Sequence, residues 1–212
     1  MEYFDDMELT QEEEILLPDP KEDSDVSIEK AIKNRRSVRE FMHEDLTIQE
    51  ISQLLWSAQG ITESAESKRT SPSAGGTYPL EIYINIKDAE ELTPGIYKYS
   101  PKNHTLVQIV DGKKSLEISN AALGQDFINK SPVNIIITAI HERTTQRYGN
   151  RGEQYVHMEA GHTAQNIYLQ CESLDLATVG VGAFNDDEVA QILQLNEEEH
   201  PLYIMPIGRL KD

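Results

Sequence analysis

Three arginines fall within five residues at Arg35-Arg36-Ser37-Val38-Arg39, in a chain whose formal net charge is −18 at pH 7. A protein this acidic gains nothing in solubility from a local knot of guanidinium groups, so the cluster has an anion to hold. Taken alone, the run reads equally well as a solvated helix end whose cations complement the helix dipole. Ser37 moves the balance, because a hydroxyl between guanidiniums is a further donor to phosphate oxygens. A second run, Ser71-Pro72-Ser73-Ala74-Gly75-Gly76-Thr77-Tyr78-Pro79, sets small residues and main-chain N–H groups where a flat ring could approach the backbone. By itself it is an ordinary glycine-containing loop. Phosphate at one end and a planar heterocycle at the other describe a nucleotide-like cofactor.

The surrounding pattern predicts the elements that would carry these runs. Ser27 caps a helix through Ile28, Ala31 and Ile32 that leads into the arginines. Thr47 and Glu50 form a capping box ahead of Ile51, Leu54, Leu55 and Ala58, with Gly60 as the stop. Ile82, Ile84 and Ile86 alternate with Tyr83 and Asn85 as a half-buried strand, and 133–140 reads as a central strand buried on both faces. A helix is expected over 158–174, and strands over 177–184 and 202–208. Helices and strands mix without regular βαβ alternation, which favours an α+β layered fold.

Bulk composition bounds the rest. The 212 residues are 38% hydrophobic and 26% charged, enough for one domain with an additional arm. Residues 1–26 form that arm, and residues 27–212 the domain. From Glu2 to Asp25 there are eleven acidic residues and one lysine, so the segment carries 10 of the 18 excess negative charges. Composition favours a solvated extension, although Ile15-Leu16-Leu17 is an apolar hook that a partner could take. The acidic excess argues against nucleic acid or an anionic membrane as partner. No apolar run approaches the ~18 residues of a membrane span, and the first twenty residues lack a signal-peptide pattern. The single Cys171 excludes an internal disulfide, fits a reducing cytoplasm, and lies in the apolar pattern of its helix as a buried filler.

Other motifs fail on context. Gly180-Val181-Gly182-Ala183 has half of a dinucleotide fingerprint, but too little chain follows for a complete unit. Gly182 reads better as a strand end where N–H groups meet a ligand edge. His157 and His162 lie about 140° apart around a helix, so they do not share a metal ion as an i, i+4 pair would.

Several motifs in one order then resemble the FMN-dependent nitroreductase superfamily, and within it the SagB-type dehydrogenase branch related to azoline-oxidising enzymes. They are 35–39, Arg69 with Pro72 to Glu81, Glu142-Arg143-Thr144-Thr145 with Tyr148-Gly149, Glu159-Ala160-Gly161-His162 with Gln165-Asn166, and 179–184. The resemblance covers Ser27 to Arg209. It implies a mainly antiparallel sheet flanked by helices and an intertwined homodimer with two FMN at the subunit interface. Arg35, Ser37 and Arg36 would contact phosphate and ribityl chain, and Arg39 the pyrimidine side of the ring. Pro72, Ser73, Ala74 and Gly76 would come from the other subunit, while Val181, Gly182 and Ala183 would line the ring near N5. Gln125 and Asn129 match ring-contacting positions of some relatives, and Arg209 is the candidate for a C-terminal phosphate contact. A fixed cation at Arg39 would stabilise the reduced ring. Since the flavin itself carries the chemistry, no catalytic acid or nucleophile is expected. The resemblance implies NAD(P)H as transient reductant, a small organic acceptor, and ping-pong kinetics. Two alternatives stay open: azoline oxidation, and a non-catalytic flavin-binding module.

Overall fold

The computed structural model describes residues 14–63, 65 and 68–211. The first thirteen residues of the acidic segment lie outside them. The helices begin as the capping residues dictate. Ser27 Oγ accepts the N–H of Lys30 at the start of α1 (Ile28–Asn34). Thr47 and Glu50 cap each other's backbone N–H at the start of α2 (Ile48–Gln59). β1 (Glu14–Leu16) precedes both helices; after them come the small pair β2 (Ile61–Glu63) and β3 (Lys68–Arg69), then β4 (Leu80–Ile86), β5 (Gly95–Ser100) and β6 (Thr105–Asp111). Short helices α3 (Ser115–Ala121) and α4 (Asp126–Lys130) precede β7 (Val133–Ile140) and α5 (Glu142–Tyr148). The long α6 (Arg151–Ser173), β8 (Leu176–Thr178), α7 (Asp186–Leu193) and β9 (Glu199–Arg209) complete the chain.

Seven strands form one sheet in the order β1-β6-β5-β4-β7-β9-β8, every neighbouring pair antiparallel. This is the α+β architecture that the mixed pattern and the resemblance imply. Helices cover both faces. Ile82, Ile84, Ile86, Val133, Ile135 and Ile137 pack with Leu54, Leu55, Ala160 and Ile167 of α2 and α6. Tyr83 and Ile136 turn the other way, to Ile118, Ile128 and Val189. β4 is therefore buried on both sides, not half-buried: Asn85 stands inside and donates to Ser115 Oγ at 2.9 Å. Its polar side chain imitates a solvent-facing position, and α3 is what covers it.

Two boundaries differ from expectation. The strand expected over 177–184 shrinks to Leu176–Thr178, after which one bridge joins Val181 to Ile204. α6 starts seven residues before the expected 158. The acidic segment is also no free arm from Glu14 onward. β1 extends the sheet along β6, Leu17 is buried, and Gln53 of α2 exchanges hydrogen bonds with the backbone of Lys21. Of the apolar hook, Leu17 is taken up by its own chain and Ile15 packs against the core, while Leu16 stays exposed.

Candidate active site

The sheet edge at β8 gathers the first half of the site. Ser37 forms a parallel bridge with Thr178, and Val38 N–H donates to Thr178 O at 3.0 Å, so the arginine segment continues the sheet beyond its last strand. The chain leaving β8 runs through Gly180 to the Val181–Ile204 bridge. Tyr168 of α6 ties the two segments. Its hydroxyl meets Ser37 Oγ at 3.1 Å and accepts Gly180 N–H at 2.7 Å, while its ring lies under Arg35 Cζ at 5.0 Å. The sequence reading missed Tyr168, which occupies an amphipathic helix position that looks like ordinary packing.

The arginines divide by what holds them. Arg36 Nη1 donates to the carbonyls of Lys33, Asn34 and Arg35, closing the C-terminus of α1. The structure thus gives it a capping role that the sequence reading did not assign. Arg35 lies on Tyr168, and Arg39 Cζ sits 5.7 Å from the Phe127 ring of α4. Among the described residues neither Arg35 nor Arg39 has a carboxylate at ion-pair distance. Glu172 is within electrostatic range of Arg36 and Arg35, but burial outweighs both and raises its pKa. Two guanidiniums open to an anion are what a phosphate-bearing cofactor requires.

Gln125 buttresses this half, donating from Nε2 to Ala183 O at 3.0 Å. Asn129 lies two residues beyond Phe127, about 160° around α4 from the ring that Arg39 covers. Its carbonyl takes Lys87 Nζ at 3.0 Å. Gly182 and Ala183 are exposed. A Cβ at Gly182 would meet only the Tyr203 ring, at an ordinary 3.7 Å, and the residue has no positive φ. The fold itself does not demand glycine there.

Arg209, unlike Arg35 and Arg39, is paired with carboxylates of its own chain. Its Nε meets Glu44 Oε2 at 3.0 Å and its Nη2 meets Glu50 Oε1 at 3.0 Å. The guanidinium closes the N-terminal turn of α2 with the same Glu50 that forms the capping box. Two carboxylates already neutralise it, so it is not left for a phosphate.

The second half lies on the other side of α6. Ser71 is buried and donates from Oγ to Ala58 O, while Asn166 Nδ2 donates to Ser57 O, Thr70 O and Ser71 Oγ at 3.1–3.2 Å. Thr163 links Ser71 to Gln59, whose Oε1 receives Arg69 Nη1 at 3.0 Å. Ser73 Oγ closes the loop by accepting Tyr78 N–H at 2.9 Å. Gly75 and Gly76 take φ of +63° and +65° and stand exposed beside Pro72. Glu159 is the buried acid of this region, and its Oε1 has no hydrogen-bond partner among the described residues. Burial raises its pKa to about 7, against the hydrogen bond from Ser73 and the charge of Arg69. Sequence reasoning quoted this glutamate only as part of a motif. Its cue was an acid on the buried stripe of an amphipathic helix.

The two halves use opposite faces of α6. Tyr168 is nine residues beyond Glu159, ~13.5 Å along α6 and half a turn around it. Among the described residues no helix is long and apolar enough to cross a membrane, and no group of three or more His, Cys, Asp or Glu could hold a metal ion. Burial pushes the Cys171 thiol pKa up, as befits packing rather than chemistry.

Comparison with known proteins bears on the family and the fold. MJ1384, a presumed nitroreductase of Methanocaldococcus jannaschii, is 49% identical over 196 residues, covering 92% of this chain and 96% of that protein. The microcin B17-processing protein McbC of Escherichia coli is 25% identical over 173 residues, and the match spans 79% of this chain but 64% of McbC. The crystal structure of a presumed nitroreductase from Ralstonia eutropha JMP134 superimposes with a TM-score of 0.83 at 31% identity, covering 96% of this chain and 92% of that one. The nitroreductase family model matches residues 32–209, and the chain belongs to the nitroreductase family.

Proposed function

We propose that this nitroreductase-family oxidoreductase binds FMN and moves hydride from NAD(P)H to a small organic acceptor, as a homodimer. The observation that carries the reading is the pair of carboxylate-free guanidiniums, Arg35 and Arg39, either side of the Ser37–Tyr168–Gly180 hydrogen-bond chain. Arg35 and Ser37, with Arg36 beside them, would hold the phosphate and ribityl chain. Arg39 would place a fixed cation at the pyrimidine edge, and the exposed Gly182 would let main-chain N–H reach the ring. FMN, when bound, supplies the two-electron hydride chemistry. The protein's part is to bind, orient and shield the ring.

The use of opposite faces of α6 by the two halves supports the dimer. A ligand touching both halves needs the 72–76 loop of one copy against the arginines of another. Gly161 supports this, since a Cβ there would meet nothing within 4 Å in its own chain. Glycine in a helix interior costs about 1 kcal/mol relative to alanine, and the surface of a second copy is a reason to keep it.

The deciding experiment is release of the chromophore from pure protein, identified by mass, then anaerobic addition of NADH or NADPH. Bleaching of the yellow colour, with parallel initial-rate plots for donor and acceptor, fits the proposal; a colourless monomer that takes up no added FMN overturns it. The likeness to McbC favours one second reading, oxidation of azoline-like heterocycles. It predicts that neither nicotinamide reduces the flavin whereas a heterocyclic peptide does. Flavin retention without turnover of any reductant would leave a binding module.

A further inference from the structure

Beside the Gly75 loop stands a cationic and aromatic ladder that no role above uses. Arg147 Cζ lies 5.4 Å from the Tyr148 ring centre, and Arg151 Cζ lies 5.6 Å from that of Tyr155. The two tyrosine rings meet edge to face at 5.2 Å and 84°. Both arginines are exposed, both tyrosines are half-buried, and among the described residues neither arginine has a carboxylate partner. In this acidic chain, Lys98, Lys113, Lys114 and Lys130 each meet a carboxylate.

The ladder and the loop are one unit. Arg147 Nη1 donates to Gly75 O at 3.0 Å. A Cβ on Gly75 would come within 2.5 Å of Tyr148 Oη and 2.7 Å of Arg147 Nη1, at a φ of +63° that already favours glycine. The loop therefore sits directly against the first rung, and whatever ligand the loop faces, the ladder is next to it.

We propose that Arg147, Tyr148, Arg151 and Tyr155 form the substrate platform, and that it takes a planar aromatic molecule bearing an anionic group. The tyrosine and guanidinium planes offer stacking surfaces, and the unpaired guanidinium donors fit a carboxylate or phosphate. Elsewhere a net charge of −18 repels such a ligand, so a local cationic patch steers it to this place. The inference rests on the reading that the 72–76 loop faces bound flavin.

The test titrates purified protein, with its flavin and stripped of it, with 4-nitrobenzoate, neutral nitrobenzene and NADH. 4-Nitrobenzoate should bind about tenfold tighter than nitrobenzene, the worth of one exposed charge-assisted contact. Arg151→Gln leaves the Gly75 contact intact. It should lower 4-nitrobenzoate affinity about fivefold with nitrobenzene changed less than about twofold, and Arg151→Lys should recover part of the loss. Tyr155→Leu should weaken both nitroaromatics. Flavin content stays constant in all three variants. A loss confined to NADH also supports the platform and assigns its anion to the hydride donor. Equal wild-type affinity for nitrobenzoate and nitrobenzene, with NADH binding unmoved by Arg151→Gln, overturns it. Binding to stripped protein is read separately, so a failure to hold flavin sinks the functional reading without deciding this one.

Discussion

Ser37 and Ser71 both lie on segments that the candidate site uses, in opposite surroundings. Ser37 is exposed, with one hydroxyl contact to Tyr168 and a sheet bridge at an edge. Ser71 is buried, with its hydroxyl joined to Ala58, Thr163 and Asn166. The arginine half keeps donors open at its surface, as the proposed phosphate-bearing cofactor would need. The loop half has its polar groups satisfied inside the protein, apart from one oxygen of Glu159. On the proposed reading one half receives a ligand, while the internal hydrogen bonds of the other hold it rigid. Substitutions in the first should therefore change affinity, and substitutions in the second should change stability.

Asn166→Ala gives the sharpest contrast. It removes a side-chain nitrogen that serves three acceptors, so the fold should lose about 3 kcal/mol. That lowers the thermal midpoint by roughly 6–12 °C for a chain of this size. Differential scanning calorimetry measures it; a midpoint within about 1 °C of wild type would show that the buried network does not carry the loop. Arg35→Ala should do the reverse. Flavin affinity should fall about 10- to 100-fold, the range of one charge-assisted hydrogen bond, with little change in the midpoint of flavin-free protein. Equilibrium dialysis against FMN reads it, and undiminished retention would remove Arg35 from the phosphate site.

The exception in the loop half gives a pH signature. Glu159 has its pKa raised from the ordinary carboxyl value to about 7 by burial. Between roughly pH 4.5 and 7 the folded state keeps a proton that the unfolded chain has released, so stability falls as pH rises through that window. Above pH 7 the full cost of a buried charge is present; below about 4.5 it is gone. Glu159→Gln should therefore stabilise at pH 8, by about 2 kcal/mol on the scale of an unsatisfied buried polar group, and the gain should fade by pH 4.5. Thermal melts of both proteins across that range test it. A difference independent of pH would mean that the carboxyl never ionises in the fold.

The same division explains what was readable beforehand. Capping residues act locally, so Ser27, Thr47 and Glu50 announced α1 and α2 correctly. The arginines were conspicuous because their charge opposes that of the whole chain. Asn85 misled because a buried polar side chain and a solvent-facing one look identical in an alternating pattern; only the covering α3 separates them. Tyr168 and Glu159 were hidden because their importance comes from partners 131 and 86 residues away, at Ser37 and Ser73. The bridge of Val181 to Ile204 likewise depends on a strand that arrives later in the chain. What can be read from sequence is what neighbours in sequence decide.

Tyr168→Phe probes the tie between the two segments of the arginine half. It deletes the hydroxyl contacts to Ser37 and Gly180 but keeps the ring beneath Arg35, so flavin affinity should drop about fivefold, near 1 kcal/mol. A change below about twofold would leave Tyr168 as packing only.

Arg209→Ala should have the mildest effect on flavin, and it tests the one expected site cation that the structure pairs with two carboxylates. A guanidinium that belonged to the phosphate site would lose as much affinity on deletion as Arg35. A guanidinium held by Glu44 and Glu50 should instead cost up to about 1 kcal/mol of stability, because partly exposed ion pairs contribute little. Removing it also leaves Glu50 with its capping role, and carboxylates are favourable at a helix N-terminus even without a cation beside them. FMN retention on dialysis should accordingly match wild type within about twofold, a difference of roughly 0.4 kcal/mol. A loss near tenfold would place Arg209 among the open cations of the arginine half, and would mean that bound flavin pulls it from its carboxylates.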